Sequence, residues 1–182
     1  MKTREVATQS KVTPHHLADD GTFPNNRLPL LMYRQAFSEE SENLADVFEE
    51  TFRKNGWRGA WRNGVYSYHH YHSTSHEVLG CYSGSARVQF GGDGGAIEEL
   101  RAGDVVLIPA GVAHKKLSAS SVFRVVGAYP AGQEDYDMNT GKRGERPRTD
   151  QNIARVALPE SDPIFGEQGP LADYWHGQRA RK

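Results

Sequence analysis

The stretch from Trp57 to Tyr129 constrains the fold most strongly, because it consists of short apolar runs separated by glycine clusters. These runs read "GVYSYHHYH", "HEVLGCYSG", "SARVQF", "AIEEL", "DVVLIPA", "HKKLS" and "SVFRVVGAYP". β-Branched and aromatic residues favour strands, and glycine supplies the positive φ of tight turns such as the one expected at "FGGDGG". The pattern predicts an all-β-dominated domain, an antiparallel sandwich or barrel.

The two ends of the chain differ from this central part. In "SEESENLADVFEETFRKNGW" the spacing of one helix face recurs at Leu44, Val47, Phe48, Thr51 and Phe52. We therefore expect one N-terminal amphipathic helix, ended by Asn55-Gly56. A polar loop and then prolines alternating with apolar residues predict an extended C-terminal arm, packed on the barrel or on a second subunit. The predicted parts are an N-terminal extension with the helix (1–56), a β-barrel core (57–130), and the loop and arm (131–182).

Charge and cysteine content limit the expected partners and compartment. The chain has 22 basic and 23 acidic residues, a net charge of −1. Nucleic acids and anionic membranes call for a basic face, so we expect neither as a partner, and we interpret the C-terminal "GQRARK" as a solvated end. The single cysteine, Cys81, allows no intramolecular disulfide. We find no leader-like apolar segment and no run of membrane-spanning length, and therefore expect a cytoplasmic protein.

Histidines are concentrated between residues 69 and 77, where the sequence reads "HHYHSTSHE". Alternate residues of a strand face the same side, so His70 and His72 should point together. Glu77 follows a short turn and can fold back toward them, and His114 comes after a later strand that ends in a Pro-x-Gly turn. Three imidazoles and one carboxylate would hold a divalent first-row metal ion and leave one or two positions open. A single histidine on a β-face is usually an ordinary hydrogen-bonded residue, so a second motif has to agree.

Two sequence motifs carry a family resemblance. "GVYSYHHYHSTSHEVLGCYSG" resembles the first cupin motif, with Gly64, His70-x-His72, Glu77 and Gly84 at its spacing. "GDVVLIPAGVAHKKLS" resembles the second, with its glycine, Pro-x-Gly turn and final histidine at Gly103, Pro109, Gly111 and His114. Ser118 occupies the position of the second motif that is usually asparagine. This position is not a metal ligand in the family. The flanks "FPNNRLPLLMYR", "SGSARVQFGG" and "VGAYPAGQ" and the proline-rich tail are similar to the YjlB-like branch of single-domain cupins.

The resemblance implies a cupin-type double-stranded β-helix, or jelly-roll barrel, with one bound metal ion. Carried over residue by residue, the ligands would be His70, His72, Glu77 and His114. This ligand set accepts Mn, Fe, Co, Ni or Zn, so the sequence does not choose among these ions.

Two further residues near the motif are candidates for catalytic roles. Tyr68, with Tyr66, is expected to line the barrel, where it either packs in the core or orients a substrate and donates a proton. His76 should point away from the metal by alternation, but it lies at a turn, where it could serve as a ligand or proton shuttle. Alternation places His69 on the face opposite His70.

Three more side chains leave their roles open. Cys81 is either a small core residue or a thiol near the site, and a lone strand cysteine is usually the former. Arg87 and Arg124 lie in predicted strands, and either would pair with a substrate carboxylate if it pointed inward.

Two classes of function follow. The first is a metal-dependent enzyme of the oxygenase, decarboxylase or isomerase type, acting on a small, carboxylate-bearing molecule. The alternative is a non-catalytic, metal-dependent small-molecule binding or sensor protein, and a bare structural barrel ranks third. The fold does not decide between them. We expect a homodimer, because barrels with N- and C-terminal arms often exchange these arms between two subunits.

Overall fold

The computed structural model describes residues 10–177. The strands are β1 (Lys11–Leu17), β2 (Asn26–Arg34), β3 (Trp57–Asn63), β4 (Glu77–Ser83), β5 (Ser85–Phe90), β6 (Ala96–Arg101), β7 (Val105–Ile108), β8 (His114–Ala119) and β9 (Arg124–Pro130). The helices are α1 (Leu44–Lys54), α2 (Arg148–Arg155) and a π-helical turn (Ala172–His176). Most of the predicted basic end lies outside the described residues. Within 10–177, no helix has the length and apolar character needed to cross a bilayer.

The strands form two separate antiparallel sheets. The larger has the order β1-β2-β7-β4-β9-β3, and the smaller has the order β6-β5-β8. The fold is therefore mostly β and cupin-like, but the expected closed barrel is replaced by two sheets that do not join through a continuous ladder. β1 and β2 belong to the larger sheet although they precede residue 57, and the three-part division of the chain stays a prediction.

The histidine segment, residues 64–72, was predicted as a strand but is largely irregular. Its backbone hydrogen bonds go to several partners. His70 forms a bridge with His114, and Tyr71 forms a bridge with Asn139. The carbonyls of Tyr66 and His72 accept from the N–H groups of Lys116 and Gly111. Because these bonds do not form a continuous ladder along the segment, it crosses between elements instead of extending one sheet. The prediction of a regular strand here was wrong.

The central strands of the larger sheet are buried on both faces. Alternate residues of β2 illustrate this, since Leu30 and Met32 pack between the sheets while Leu31 and Tyr33 face the other way. The outer face is covered by Phe48 of α1 and by the C-terminal segment, residues 158–177. Two covered faces explain why β2 and β7 read as continuous apolar runs instead of alternating ones.

α1 lies unusually close to the sheet at Gly80 of β4. A Cβ atom placed on Gly80 would lie 2.7 Å from the ring of Phe48, which is closer than two carbon atoms pack. The glycine of this strand therefore sets the depth at which the helix packs.

The C-terminal segment is held to the larger sheet by one buried carboxylate, that of Asp162. Tyr33 donates its hydroxyl hydrogen to Asp162 Oδ2 over 2.6 Å. Backbone N–H groups of Ile164, Phe165 and Leu171 donate to the same carboxylate over 2.8, 3.0 and 3.1 Å. Nearby, the buried Trp175 donates to the carbonyl of Pro29 over 2.8 Å. The segment thus packs on its own chain through directed bonds as well as apolar contact.

We predict that Asp162→Ala lowers the free energy of unfolding by about 3 kcal/mol or more, because several buried donors lose their acceptor. Urea denaturation followed by circular dichroism would measure this. Asp173→Ala, at an exposed position of the same segment, is the matched control and should change stability little. Equal stability of the two variants would contradict the anchoring role of Asp162.

Candidate metal centre

Three buried imidazoles meet between the two sheets. His70 and His72 come from the irregular segment before β4, and His114 begins β8. One ring nitrogen from each lies within 4.8 Å of the other two. Reciprocal backbone hydrogen bonds tie His70 to His114, with N···O distances of 3.2 and 2.9 Å. The structure therefore brings together the three histidines that the sequence motifs single out.

The protonation of each ring is fixed by a backbone carbonyl. The Nδ1 atoms of His70, His72 and His114 donate to the carbonyls of Tyr68, Asp137 and Val112 over 3.1, 2.6 and 3.1 Å. A neutral imidazole that donates through Nδ1 keeps its lone pair on Nε2. All three rings are therefore held in the tautomer that leaves Nε2 free to bind a cation.

Glu77, the first residue of β4, completes the cluster. It is 3% exposed, and its Oε2 lies 3.3 Å from the Nε2 atoms of both His72 and His114. This oxygen has no hydrogen-bond donor, although it is buried. A carboxylate oxygen that faces two imidazole lone pairs is costly unless a proton or a metal ion lies between them. The residues thus fit a metal ion, by their donor chemistry and by the unpaired oxygen.

The surroundings shift the pKa values of His70 and His72 in opposite directions. Burial, with repulsion from His114, lowers the pKa of His70 to about 3. Burial also acts to lower the pKa of His72, but the charge of Glu77 and the bond to the Asp137 carbonyl outweigh it and raise that pKa. Metal binding competes with protonation of an imidazole, so a raised pKa at His72 makes metal affinity depend on pH.

A cavity of about 410 Å³ opens beside the four side chains. This size falls in the range of small-molecule pockets. Besides the cluster, its lining includes Trp61, Val65, Tyr66, Leu79, Lys116, Tyr129, Tyr136 and Met138. The arrangement leaves space for a small ligand next to the position that a metal ion would take.

Aromatic residues that the sequence analysis did not single out form one wall. Trp61 donates through Nε1 to the hydroxyl of Tyr129 over 2.8 Å, and that hydroxyl donates to Glu77 Oε1 over 3.3 Å. The ring of Tyr136 stacks on Tyr129 with centroids 4.4 Å apart and lies 4.7 Å from His72. Burial, and then the charge of Glu77, raises the pKa of Tyr129 well above its usual range. Tyr129 is therefore a neutral donor that orients the carboxylate.

The polar loop after β9 also contributes to the site. The Asp137 carboxylate accepts from the backbone N–H of Ser73 over 2.6 Å and from Asn139 Nδ2 over 2.8 Å, and it also bonds the Ser73 hydroxyl. The same residue supplies the carbonyl that holds His72. Its carboxylate thus fixes the loop against the histidine segment, a role for which the sequence offered no periodic signal.

The two predicted proton-transfer residues are not brought to this cavity. Tyr68 is 47% exposed and stacks on Tyr66, which does line the cavity mouth. His76 is buried against Trp175, accepts a hydrogen bond from the Ala110 N–H over 2.9 Å, and borders a different cavity. The predicted catalytic roles of Tyr68 and His76 are untested, but neither side chain lines the cavity that holds the imidazoles.

Two of the other side chains with open roles lie at the surface, and one lies in the core. Arg87 and Arg124 are exposed and do not line the cavity. Cys81 is fully buried in the apolar core between the sheets. His69, which alternation placed away from the site, bonds the carboxylate of Asp93 over 2.8 Å.

The fold and site describe a class of β-sandwich proteins with a buried histidine–glutamate cluster, and sequence comparison identifies the family. A family profile described as "Cupin" matches residues 58–137. The "Uncharacterized protein YjlB" of Bacillus subtilis (strain 168) is 45% identical over 158 residues, or 86% of this chain and 92% of that protein. The chain therefore belongs to the cupin family, in its YjlB-like group.

Solved structures show more distant similarity. The coconut allergen cocosin is 24% identical with a TM-score of 0.38, over 44% of this chain and 23% of that chain, so the match spans about a quarter of the allergen. An acireductone dioxygenase from Bacillus anthracis with a cadmium ion in its active centre is 13% identical with a TM-score of 0.38, over 67% of this chain and 79% of that chain. At these scores, neither structure bears on the activity of this chain.

We predict that Cys81 is unreactive in the folded protein. Burial raises the pKa of its thiol to about 12, so almost no thiolate, the reactive form, exists at pH 8. Ellman's reagent at pH 8 should therefore modify the thiol only after unfolding in guanidinium, with Cys81→Ser as the blank. Rapid modification of the native protein would instead support the thiol interpretation.

Proposed function

We propose that this cupin binds one divalent transition-metal ion through His70, His72, Glu77 and His114. The observation that carries the proposal is the unpaired, buried oxygen of Glu77, which faces the Nε2 atoms of His72 and His114. The Nδ1 atoms of both rings are already bonded to backbone carbonyls. The set of donors suits Mn, Fe, Co, Ni or Zn, and we leave the ion open among these.

We further propose that the site is catalytic, of the oxygenase, decarboxylase or isomerase type, and acts on a small molecule bound in the adjacent cavity. When bound, the ion would supply Lewis acidity or a redox centre. The chain contributes a pocket beside the ion, an aromatic wall that orients the ligand, and the Tyr129 hydroxyl that holds Glu77. A cytoplasmic homodimer remains our prediction for the state in which the protein acts.

The second candidate is a non-catalytic binding or sensor protein. It is favoured by one observation: among the described residues, the cavity lining holds no carboxylate or imidazole beyond the four proposed ligands. An enzyme that moves protons would then have to use a phenol, Lys116 or water. Conversion of a small carboxylate by the metal-loaded protein would favour the enzyme, whereas saturable binding with the compound recovered unchanged would favour the binder.

The metal site is tested by elemental analysis after reconstitution with each candidate ion. We expect about one equivalent in the wild type and a strong loss in His72→Ala, because a ligand and its bond to the Asp137 carbonyl are removed together. His69→Ala is the matched control, since His69 bonds Asp93 outside the cluster, and it should retain the ion. If the folded wild type takes up none of the five ions, the proposal fails.

We expect Tyr129→Phe to weaken metal affinity roughly tenfold while the fold is kept, because residues that orient a ligand contribute at this level. Competition with a chromogenic chelator, using Co²⁺ as the ion, would measure the change. Tyr66→Phe, at the cavity mouth, is the control and should bind as the wild type does. Unchanged affinity in Tyr129→Phe would remove Tyr129 from the site's supporting residues.

A further inference from the structure

We propose that Lys116 binds the carboxylate of a small ligand whose other end binds the metal ion. The ligand class is therefore short carboxylates that also carry an oxygen-bearing, metal-binding group. This inference rests on the proposed metal site, because it concerns the open side of the same cavity. It assigns to Lys116 the role that the sequence analysis considered for Arg87 and Arg124, both of which lie outside the cavity.

Strand register places Lys116 on the inner face. In the β5–β8 pair, Phe90 lies opposite His114 and Val88 opposite Lys116. Val88 and Phe90 are both buried between the sheets. Lys116 therefore shares the inner face with His114, about 7 Å further along the strand, and it lines the cavity. Lys115, between them, points to the opposite face by alternation.

The charges around the cavity leave Lys116 uncompensated. Arg62 also lines the cavity, but its guanidinium bonds Glu49 over 2.7 and 2.9 Å and Asp46 over 2.5 Å. Glu77 faces the imidazoles. For the Lys116 ammonium, no hydrogen bond or ion pair is found among residues 10–177. One free cation thus lies along the same inner face as the proposed metal ion.

Most of the remaining lining is apolar or aromatic, with Trp61, Val65, Leu79 and Met138 among its residues, and Asn63 adds a neutral polar side chain. A ligand that fits has a metal-binding oxygen group, a short apolar spacer and a carboxylate that accepts from the ammonium. In a partly desolvated cavity such a charge-assisted hydrogen bond is stronger than in water. An uncharged ligand of the same shape would gain the metal contact and the apolar contact but lose this one.

The test compares malonate, succinate and glutarate with their uncharged diamides on the Co²⁺-loaded protein, using titration calorimetry and the visible absorption of the ion. We expect at least one dicarboxylate to bind the wild type more tightly than its diamide. Lys116→Met should weaken that dicarboxylate roughly tenfold or more and leave the diamide unchanged, whereas Lys116→Arg should retain most of the affinity. Lys115→Met is the control and should match the wild type.

Several results would overturn the inference: no dicarboxylate bound better than its diamide, wild-type affinity in Lys116→Met, or an equal loss in Lys115→Met. Cobalt content, measured first in every variant, separates these results from failure of the metal site itself. If the wild type binds neither cobalt nor any of the other candidate ions, both the proposed function and this inference are refuted. Stoichiometric cobalt with no preference for carboxylates refutes only the inference.

Discussion

The hydrogen bonds from three imidazole Nδ1 atoms to backbone carbonyls are the constraint on which the site depends. The acceptors come from three places: Tyr68 in the histidine segment, Val112 in the turn before β8, and Asp137 in the loop after β9. The lone pairs therefore converge only when all three parts of the chain are docked. The turn before β8 needs Gly111, since a Cβ there would lie 2.5 Å from the carbonyl oxygen of Asn25, and its φ is +90°. Formation of the site is thus coupled to correct folding of the surrounding chain.

This coupling also links the site to stability. A buried carboxylate oxygen without a donor is unfavourable in the folded chain, and in the unfolded chain water would solvate it. An ion that binds the folded state and not the unfolded chain would relieve this cost and shift the folding equilibrium in proportion to its concentration over its dissociation constant. The orientation of Glu77 by Tyr129 makes sense in these terms, because it keeps one oxygen bonded and directs the other at the imidazoles.

The spacing of the two family motifs predicted the meeting of His70, His72, Glu77 and His114, although the strand alternation expected for His70 and His72 does not apply to their irregular segment. Strand alternation could also have identified Tyr129. Val125, Gly127 and Tyr129 are alternate residues of β9 and share its inner face. Other parts could not be predicted in this way. Tyr136 and Asp137 lie in an irregular loop whose position is set by tertiary hydrogen bonds. The histidine segment resembles a strand in composition, but its backbone divides its bonds among several partners, and sheet closure depends on such long-range pairing.

The distribution of charge explains how a nearly neutral protein would select an anion. The whole chain carries a net charge of −1, so long-range attraction contributes little. Locally, a divalent ion with one carboxylate and three neutral imidazoles retains one positive charge, and Lys116 would add a second. Arg62 adds none, because Asp46 and Glu49 of α1 neutralise it from outside the cavity. The preference for an anion would therefore act only at contact distance, where the partly apolar lining lowers the dielectric and strengthens each charge. Selection by this site would depend on the spacing of the ligand's two polar ends more than on its total charge.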